Sequence, residues 1–437
     1  MNPKLTNTGP RPGRYCWFAP EIPSVSATFV QNEIQAIRGL GVPVLPVSMH
    51  RVPREHCVNL PGPEPIHLYA LRGLDFPLAA IAMFAQRPRA FAKTLGTLAS
   101  DLLRAGRRGW KLPLHFLAGA KLARVLMEHG ISHLHVHFAH APTQIGMYAS
   151  LLSGIPYSFT AHANDIFQRG LLLREKAERA AKVIMISRYN LRYFRRIAPT
   201  CRSLRLVRCG FSPPRTQVRN RRPGSLRIGS LGRLVEKKGM DNLIRAFAQV
   251  HAEYPRTVLE IAGGGPLQAD LQSLVKNLGL EEAIEFRGPL RHDQVQQWMR
   301  QLDVFALACK RDSRGDQDGI PVVLMEAMGL GIPAVSTRIS GIPELIENGG
   351  NGLLAEPDDD EDFARTLRAV IRDENLRVRL GGAGRRFVAG NYGLNKNAAK
   401  LMAVLGENQA PAVTVKYIQE EQNEQSNEHT GHFAGAR

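Results

Sequence analysis

Twice along this chain, short apolar runs alternate with stretches of helical periodicity, and a proline-rich break separates the two series. In the first series, residues 14–19, 43–47, 133–138, 157–161, 182–186 and 204–209 have the length and apolar content of strands. Between them, 28–40 carries Phe29, Val30, Ile34 and Ile37 near helical spacing. The second series repeats the pattern, with strands expected at 226–231, 257–262, 283–286, 304–308 and 334–337 and helices at 240–252, 267–278 and 321–330. Strands alternating with helices predict an α/β architecture of parallel, doubly wound sheets. The break holds Pro213, Pro214, Pro223 and Arg219-Asn220-Arg221-Arg222, has no apolar period, and reads as a linker. A chain of 437 residues exceeds what one hydrophobic core holds. Two Rossmann-like units are therefore expected: 1–212, a linker 213–224, and 225–405, which takes in a C-terminal helical stretch from 360. From Gly406 the chain is rich in Gln, Glu and Asn, and 406–437 reads as a disordered tail. Open α/β sheets bind ligands outside their strands' carboxyl ends, so the two units would face a central cleft.

Composition narrows the class further. The longest apolar run, 76–85, falls well short of the ~18 residues that span a bilayer. Met1-Asn2-Pro3-Lys4 leads into polar sequence, not a signal-peptide core. Cys16, Cys57, Cys201, Cys209 and Cys309 are scattered, with no C-x-x-C pair, and read as reduced thiols of a cytoplasmic protein. The net charge of +18 is unevenly placed: residues 1–219 hold 30 Lys+Arg against 10 Asp+Glu, the rest 27 against 29. A basic first half fits an anionic partner: nucleic acid, a membrane surface or a phosphorylated substrate. An acceptor on a membrane lipid diphosphate suits it best, although a solvated basic face would look the same for any single cluster. The stretch 68–127, rich in Ala, Leu and Arg, fits helices lying on a membrane surface and equally fits interior helices.

The second series carries most of the chemistry. Asp318-Gly319-Ile320-Pro321-Val322-Val323-Leu324-Met325-Glu326 places two acids eight residues apart around a loop-to-helix entry, with Pro321 suited to the first helical position. Backbone N–H groups at Gly319 and Ile320 would point with the helix dipole at an anion such as a diphosphate. Acids beside such a site repel phosphate and suit hydroxyls of sugars and ribose instead. Upstream, Gly229-Ser230-Leu231-Gly232-Arg233-Leu234-Val235-Glu236-Lys237-Lys238-Gly239 follows a strand. Gly232 there admits close backbone approach, Arg233 offers a planar fork and Lys238 a point charge. Ala262-Gly263-Gly264-Gly265-Pro266-Leu267 ends another strand and is either a tight turn or a donor contact at Gly264. It is not a full dinucleotide fingerprint, because Gln268 replaces the third glycine.

In the first series, Thr160-Ala161-His162-Ala163-Asn164-Asp165-Ile166 sets His162 at a strand end, where it can meet a hydroxyl. Asp165 would orient that ring or cap the next helix. Residues 20–33 follow the first strand and hold Ser24, Ser26, Thr28, Asn32 and Glu33, with Thr28 and Gln31 spaced for a helix cap. His133, His135 and His137 share one strand face. With no carboxylate or cysteine at convincing spacing they read as strand histidines, not a metal site, His137 lying near the cleft. Ser340-Gly341-Ile342-Pro343-Glu344 repeats the loop-to-helix entry.

These motifs resemble those of retaining glycosyltransferases of family GT4, which have the GT-B fold. Residues 318–326 resemble the E-x7-E signature, with Asp318 one methylene shorter than the usual Glu. Residues 160–165 resemble T-x-H-x-x-D. Residues 20–33 resemble the P-x-x-S-x-T-F-V-x-N-E of the exopolysaccharide branch, which includes colanic-acid and amylovoran enzymes. The resemblance implies an enzyme moving a hexose from a nucleotide-diphosphate sugar, UDP first and GDP next, to a lipid-linked saccharide acceptor. It implies no cofactor and no metal, and a cytoplasmic protein held at the inner face of the membrane. Catalytic roles would fall to His162, Arg233, Lys238 and Asp318, and donor binding to Gly232, Arg233, Lys238, Gly264, Gly319, Ile320 and Glu326. The acceptor side would be Ser24, Ser26, Thr28, His137 and Asp165. Two other classes stay open: a non-catalytic nucleotide-sugar-binding or scaffold protein, and a basic nucleic-acid-binding protein.

Overall fold

A computed structural model describes residues 13–24, 27–51, 62–69, 75–212 and 224–406. The expected linker, apart from Gly224, lies outside the described residues, as do Ser26, Cys57 and 407–437.

The first half forms a seven-stranded sheet in the order β3-β2-β1-β4-β5-β6-β7. Its strands are β1 Tyr15–Glu21, β2 Val44–His50, β3 Ile66–His67, β4 His133–His137, β5 Tyr157–Ala161, β6 Lys182–Met185 and β7 Leu204–Leu206. The second half forms a six-stranded sheet, β10-β9-β8-β11-β12-β13. These are β8 Leu226–Leu231, β9 Thr257–Ala262, β10 Ile284–Gly288, β11 Val304–Leu307, β12 Ala334–Thr337 and β13 Leu353–Ala355. Every pairing is parallel. Helices cover the faces, which is why the strands are nearly continuous apolar runs. The short edge strands β3 and β13 were not expected from the sequence, since two or three residues carry no periodicity.

In each sheet the strand order reverses once, between β1 and β4 and between β8 and β11. The crevice that such a reversal opens is where α/β sheets hold ligands. The loops following β1, β8 and β11 carry residues 20–33, the stretch 233–238 and Asp318; the His162 motif follows β5, the triple glycine β9 and residues 340–344 β12.

The halves are joined by more than the chain. The Glu344 carboxylate accepts from the Arg188 and Tyr189 N–H groups, at 2.9 and 2.7 Å, and so closes the N-terminus of the helix Arg188–Ile197. Asn164 Nδ2 donates to Asp316 at 2.8 Å and Gln317 Nε2 to Tyr189 at 2.9 Å. The final helix, Leu394–Gly406, returns to the first half. Its Ala398, Leu401, Val404 and Leu405 are buried in one cluster with Trp17, Ile34 and Ile37. The sequence reading kept 225–405 together. An amphipathic helix shows that it needs a partner without showing which one.

Candidate functional site

At the reversal of the second sheet, the loop after β8 meets the loop after β11. Lys238 Nζ lies 2.5 Å from Asp318 Oδ2, and Lys237 Nζ lies 3.4 Å from Asp318 Oδ1 and 2.9 Å from Asp316 Oδ2. Burial pushes the Asp318 carboxyl up, but Lys238 and Lys237 outweigh it and hold the group below the usual carboxylate range. Burial likewise pulls Lys238 down, and Asp318 more than restores it. Arg233, next in the chain to Gly232, is exposed and makes no side-chain hydrogen bond or ion pair among the described residues. Gly232 packs on the Lys238 stem, where a Cβ would come within 3.3 Å of it.

Gly263 explains the triple glycine. At φ +126° its added Cβ would stand 1.9 Å from the Gly232 carbonyl oxygen, so two strand-end loops interlock backbone to backbone. Gly264 sits in this lattice, its carbonyl accepting from Leu234 N at 3.0 Å.

The helix after Asp318 begins one residue later than expected. Pro321 is the N-cap, and the helix runs Val322–Gly329. Glu326 is thus one turn inside. It lines a cleft of about 330 Å³ together with Val322, Gln296 and, from the first half, Thr28, Phe29 and Asn32. Burial raises the Glu326 carboxyl to about 7. Thr28 opens the helix Thr28–Gly39 as its first residue, after an Ala27 N-cap, so its hydroxyl is not a cap. Ser24 instead takes the local bond, accepting from Ala27 N at 3.2 Å.

Gly319 connects the halves. A Cβ there would lie 3.2 Å from Ile186, 3.4 Å from the His162 carbonyl oxygen and 3.6 Å from Ala163. A side chain there would need the end of Ile186 to give by a few tenths of an ångström, so glycine suits a loop seated this closely on the strand end that carries His162. The His162 ring is buried against Phe29 and Phe138, each with its centroid 4.7 Å away. Burial, with His137 and His140 nearby, holds that ring well below the usual imidazole range. His137 Nδ1 lies 3.3 Å from His162 Nε2.

Asp165 does not face the cleft. It is buried, and its oxygens accept from the backbone N–H of Ala139 at 2.7 Å and of His162 at 3.1 Å. It holds two strand-end loops in place and touches neither ring nitrogen of His162. The helix it was expected to cap, Asn164–Phe167, starts from Ala163 without a side-chain cap.

Several residues escaped the sequence reading. Lys237 and Asp316 flank named residues, and no spacing separates them from solvated neighbours. Glu33, from the helix Thr28–Gly39, lies 3.0 Å from His137 across 104 residues of chain. The carboxylate missing from the histidine strand was present in the quoted motif, but only the fold shows that it arrives. His135, whose nitrogens meet Ser158 at 2.8 Å and Thr160 at 3.0 Å, is satisfied within the sheet.

Residues 215–387 match the family model described as Glycosyl transferases group 1. A GDP-mannose-dependent alpha-(1-6)-phosphatidylinositol monomannoside mannosyltransferase of Mycolicibacterium smegmatis is 31% identical over 176 residues, 40% of this chain and 46% of that protein. The colanic acid biosynthesis glycosyltransferase WcaL of Salmonella typhimurium is 36% identical over 184 residues, 41% of this chain and 45% of that one. The chain spans about half the length of the curated relatives it matches. Among solved structures, Anabaena Alr3699/HepE in complex with UDP and glucose superposes with a TM-score of 0.68 at 17% identity, covering 90% of this chain and all of that one. The two parallel sheets are those of the GT-B fold.

Proposed function

We propose that this chain, whose residues 215–387 match the glycosyl transferases group 1 model, moves a hexose from a nucleotide-diphosphate donor to a saccharide acceptor in exopolysaccharide or cell-surface glycan synthesis, with retention of configuration and without a metal. One observation carries the reading. Lys238, Asp318 and the helix bearing Glu326 gather at the second sheet's reversal, and across the cleft from Glu326 stand Thr28, Phe29 and Asn32. Donor binding divides the Lys238–Asp318 pair: the ammonium turns to phosphate and the carboxylate to sugar hydroxyls. As the sugar becomes oxocarbenium-like, Arg233, Lys238 and the N–H groups near Gly319 and Ile320 stabilise the departing diphosphate. Its oxygen takes the acceptor proton, and no carboxylate forms a bond to the sugar. UDP is the first choice of base, as in the Anabaena complex, and GDP the next, as for the mycobacterial relative.

The test is calorimetric titration with a panel of nucleotide sugars. Ribose hydroxyls donate, so they favour ionised Glu326, whose carboxyl sits at about 7. Below that pH the group is protonated, and binding must first remove the proton. The cognate donor should therefore bind about tenfold more weakly at pH 6 than at pH 8. Glu326→Gln should flatten this profile. Failure of every nucleotide sugar to bind sinks the function; a pH profile that survives in Glu326→Gln sinks only the role of that residue.

The acceptor is placed on a lipid diphosphate, with the protein on the cytoplasmic face of the membrane. No helix among the described residues is long and apolar enough to cross a membrane. The support is a corner where the helix Pro88–Ala105 gives way to Leu112–Glu128. Leu103, Trp110 and Leu114 are 86%, 68% and 58% exposed there, among exposed Arg104, Arg107, Arg108 and Lys111. From Phe76 to Met127 the one acidic residue is Asp101, and it is buried. Apolar tips ringed by cations, with a tryptophan, suit the interface of an anionic bilayer. At ~1 kcal/mol per charge, Arg107→Gln with Arg108→Gln should weaken binding to phosphatidylglycerol vesicles by about 30-fold. Co-sedimentation measures it, and unchanged binding removes this corner from the account.

A further inference from the structure

We propose that Glu33 and His137 are positioning residues for His162: a line of hydrogen bonds starting at Glu33 sets which nitrogen of the His162 ring carries the proton, leaving Nδ1 to accept from a substrate hydroxyl. The substrate in this inference is the sugar of the function proposed above.

The direction of each bond follows from donor chemistry. Trp17 Nε1 can only donate, and it does so to Glu33 Oε1 at 2.8 Å. His137 Nε2 lies 3.0 Å from the same oxygen. A carboxylate only accepts, so this nitrogen carries a proton. In the neutral ring that leaves His137 Nδ1 with a lone pair. Its neighbour at 3.3 Å, His162 Nε2, must then donate. The two imidazoles are nearly coplanar, 23° apart, with centroids 5.5 Å from each other. That places them end to end in one plane, as a nitrogen-to-nitrogen bond requires, and not face to face. The remaining nitrogen, His162 Nδ1, has no partner among the described residues, and Phe29 beside this ring lines the cleft.

The line is held rigidly. Phe138, next to His137, sits at φ +73°, a conformation that a non-glycine residue adopts only when held. The next residue supplies the hold: Ala139 N donates to Asp165, and the Ala139 carbonyl accepts from buried Lys176 at 2.8 Å. The other titratable groups against the line are His135, 5.1 Å from His137 ring to ring, His140, whose partner ring is Phe138, and Cys209, whose thiol is pushed up by burial and by the Glu33 charge and so stays neutral. Burial holds His135 and His140 below the usual imidazole range, so neither contributes a cation to the line. Glu33, His135 and His137 also bring possible metal-ligand atoms within 4.8 Å of one another. His135 already has a hydroxyl at each nitrogen, from Ser158 and Thr160, so the cluster is complete as a hydrogen-bonded line.

The tautomer can be read without any substrate. In full-length protein labelled with ¹⁵N-histidine, long-range ¹H–¹⁵N correlations report which nitrogen of each ring is protonated. The signals missing in His162→Asn identify residue 162. The expected wild-type pattern at pH 7.5 is the neutral Nε2–H form. Glu33→Leu removes the acceptor that keeps the proton on His137 Nε2, so nothing fixes the direction of the line; a Gln would keep an oxygen toward Trp17 and His137 and is not used. The His162 pattern should then shift toward Nδ1–H, with turnover down about tenfold, the size of one hydrogen bond lost at the transition state, and donor affinity unchanged. A wild-type Nδ1–H or doubly protonated His162 overturns the proposal even if the variant does not fold. So does stoichiometric zinc in the purified protein, or a Glu33→Leu protein with the wild-type tautomer. An inactive enzyme that still shows Nε2–H and its shift in Glu33→Leu would count against the function and not against the line.

Discussion

Replacing Lys238 with alanine is expected to lower turnover by about 10²–10³-fold and to destabilise the protein in the same step. The first effect follows from the departing diphosphate, which loses a preorganised cation in a largely buried site. The second follows from Asp318. Its carboxylate, 14% exposed and 2.5 Å from the Lys238 ammonium, would keep its charge without its nearest partner. Removing one member of a buried pair costs about 3–5 kcal/mol, and Lys237 at 3.4 Å remains to offset part of that. A loss of about 2 kcal/mol is therefore expected, a melting point lower by several degrees. The sign of the pH dependence follows. Asp318 has its carboxyl held below the unfolded value, so its pairing stabilises the protein above the unfolded pKa, and that stability fades as pH falls through the folded one. The acid side of the stability profile should flatten in Lys238→Ala. A variant with near-normal turnover would refute the phosphate role; one with an unchanged melting point would refute the buried pair.

Arg233→Ala should match the loss of turnover, about 10²–10³-fold, and leave the melting point where it was. Arg233 is exposed and makes no side-chain hydrogen bond or ion pair among the described residues, and substitutions at such positions shift stability by less than about 0.5 kcal/mol. Arg233→Lys should recover only part of the activity, because a point charge does not reproduce a planar fork. Side by side, the two variants separate catalysis from folding. A residue with no partner in the unliganded site can be lost without structural cost; one already paired cannot. If Arg233→Ala turns over normally, the diphosphate is held elsewhere and the mechanism proposed here fails at its first step.

The sheets were legible in the sequence wherever strands were long and apolar. β5, β8, β9 and β12 have the bounds that their periodicity predicts. The capping of Thr28 by its own hydroxyl was misread because a Thr with Gln three residues on has the composition of a cap whether or not the chain turns there; here the turn is made at Ala27. Asp165 was misread for a related reason. A carboxylate near a histidine suggests an orienting pair, whereas the backbone N–H groups of Ala139 and His162 are nearer and take both its oxygens.

By itself the sequence determined two parallel-sheet units, and the loops at their strand ends that carry the phosphate- and hydroxyl-binding residue types. Those are properties of local periodicity and of backbone chemistry within a few residues. Tertiary structure alone decided that Lys238 pairs with Asp318, that Glu326 looks across a cleft at Thr28, and that Glu33 closes the histidine line. Each of those contacts joins residues tens to hundreds of positions apart, where the order of strands in a sheet, and no spacing along the chain, sets the distance.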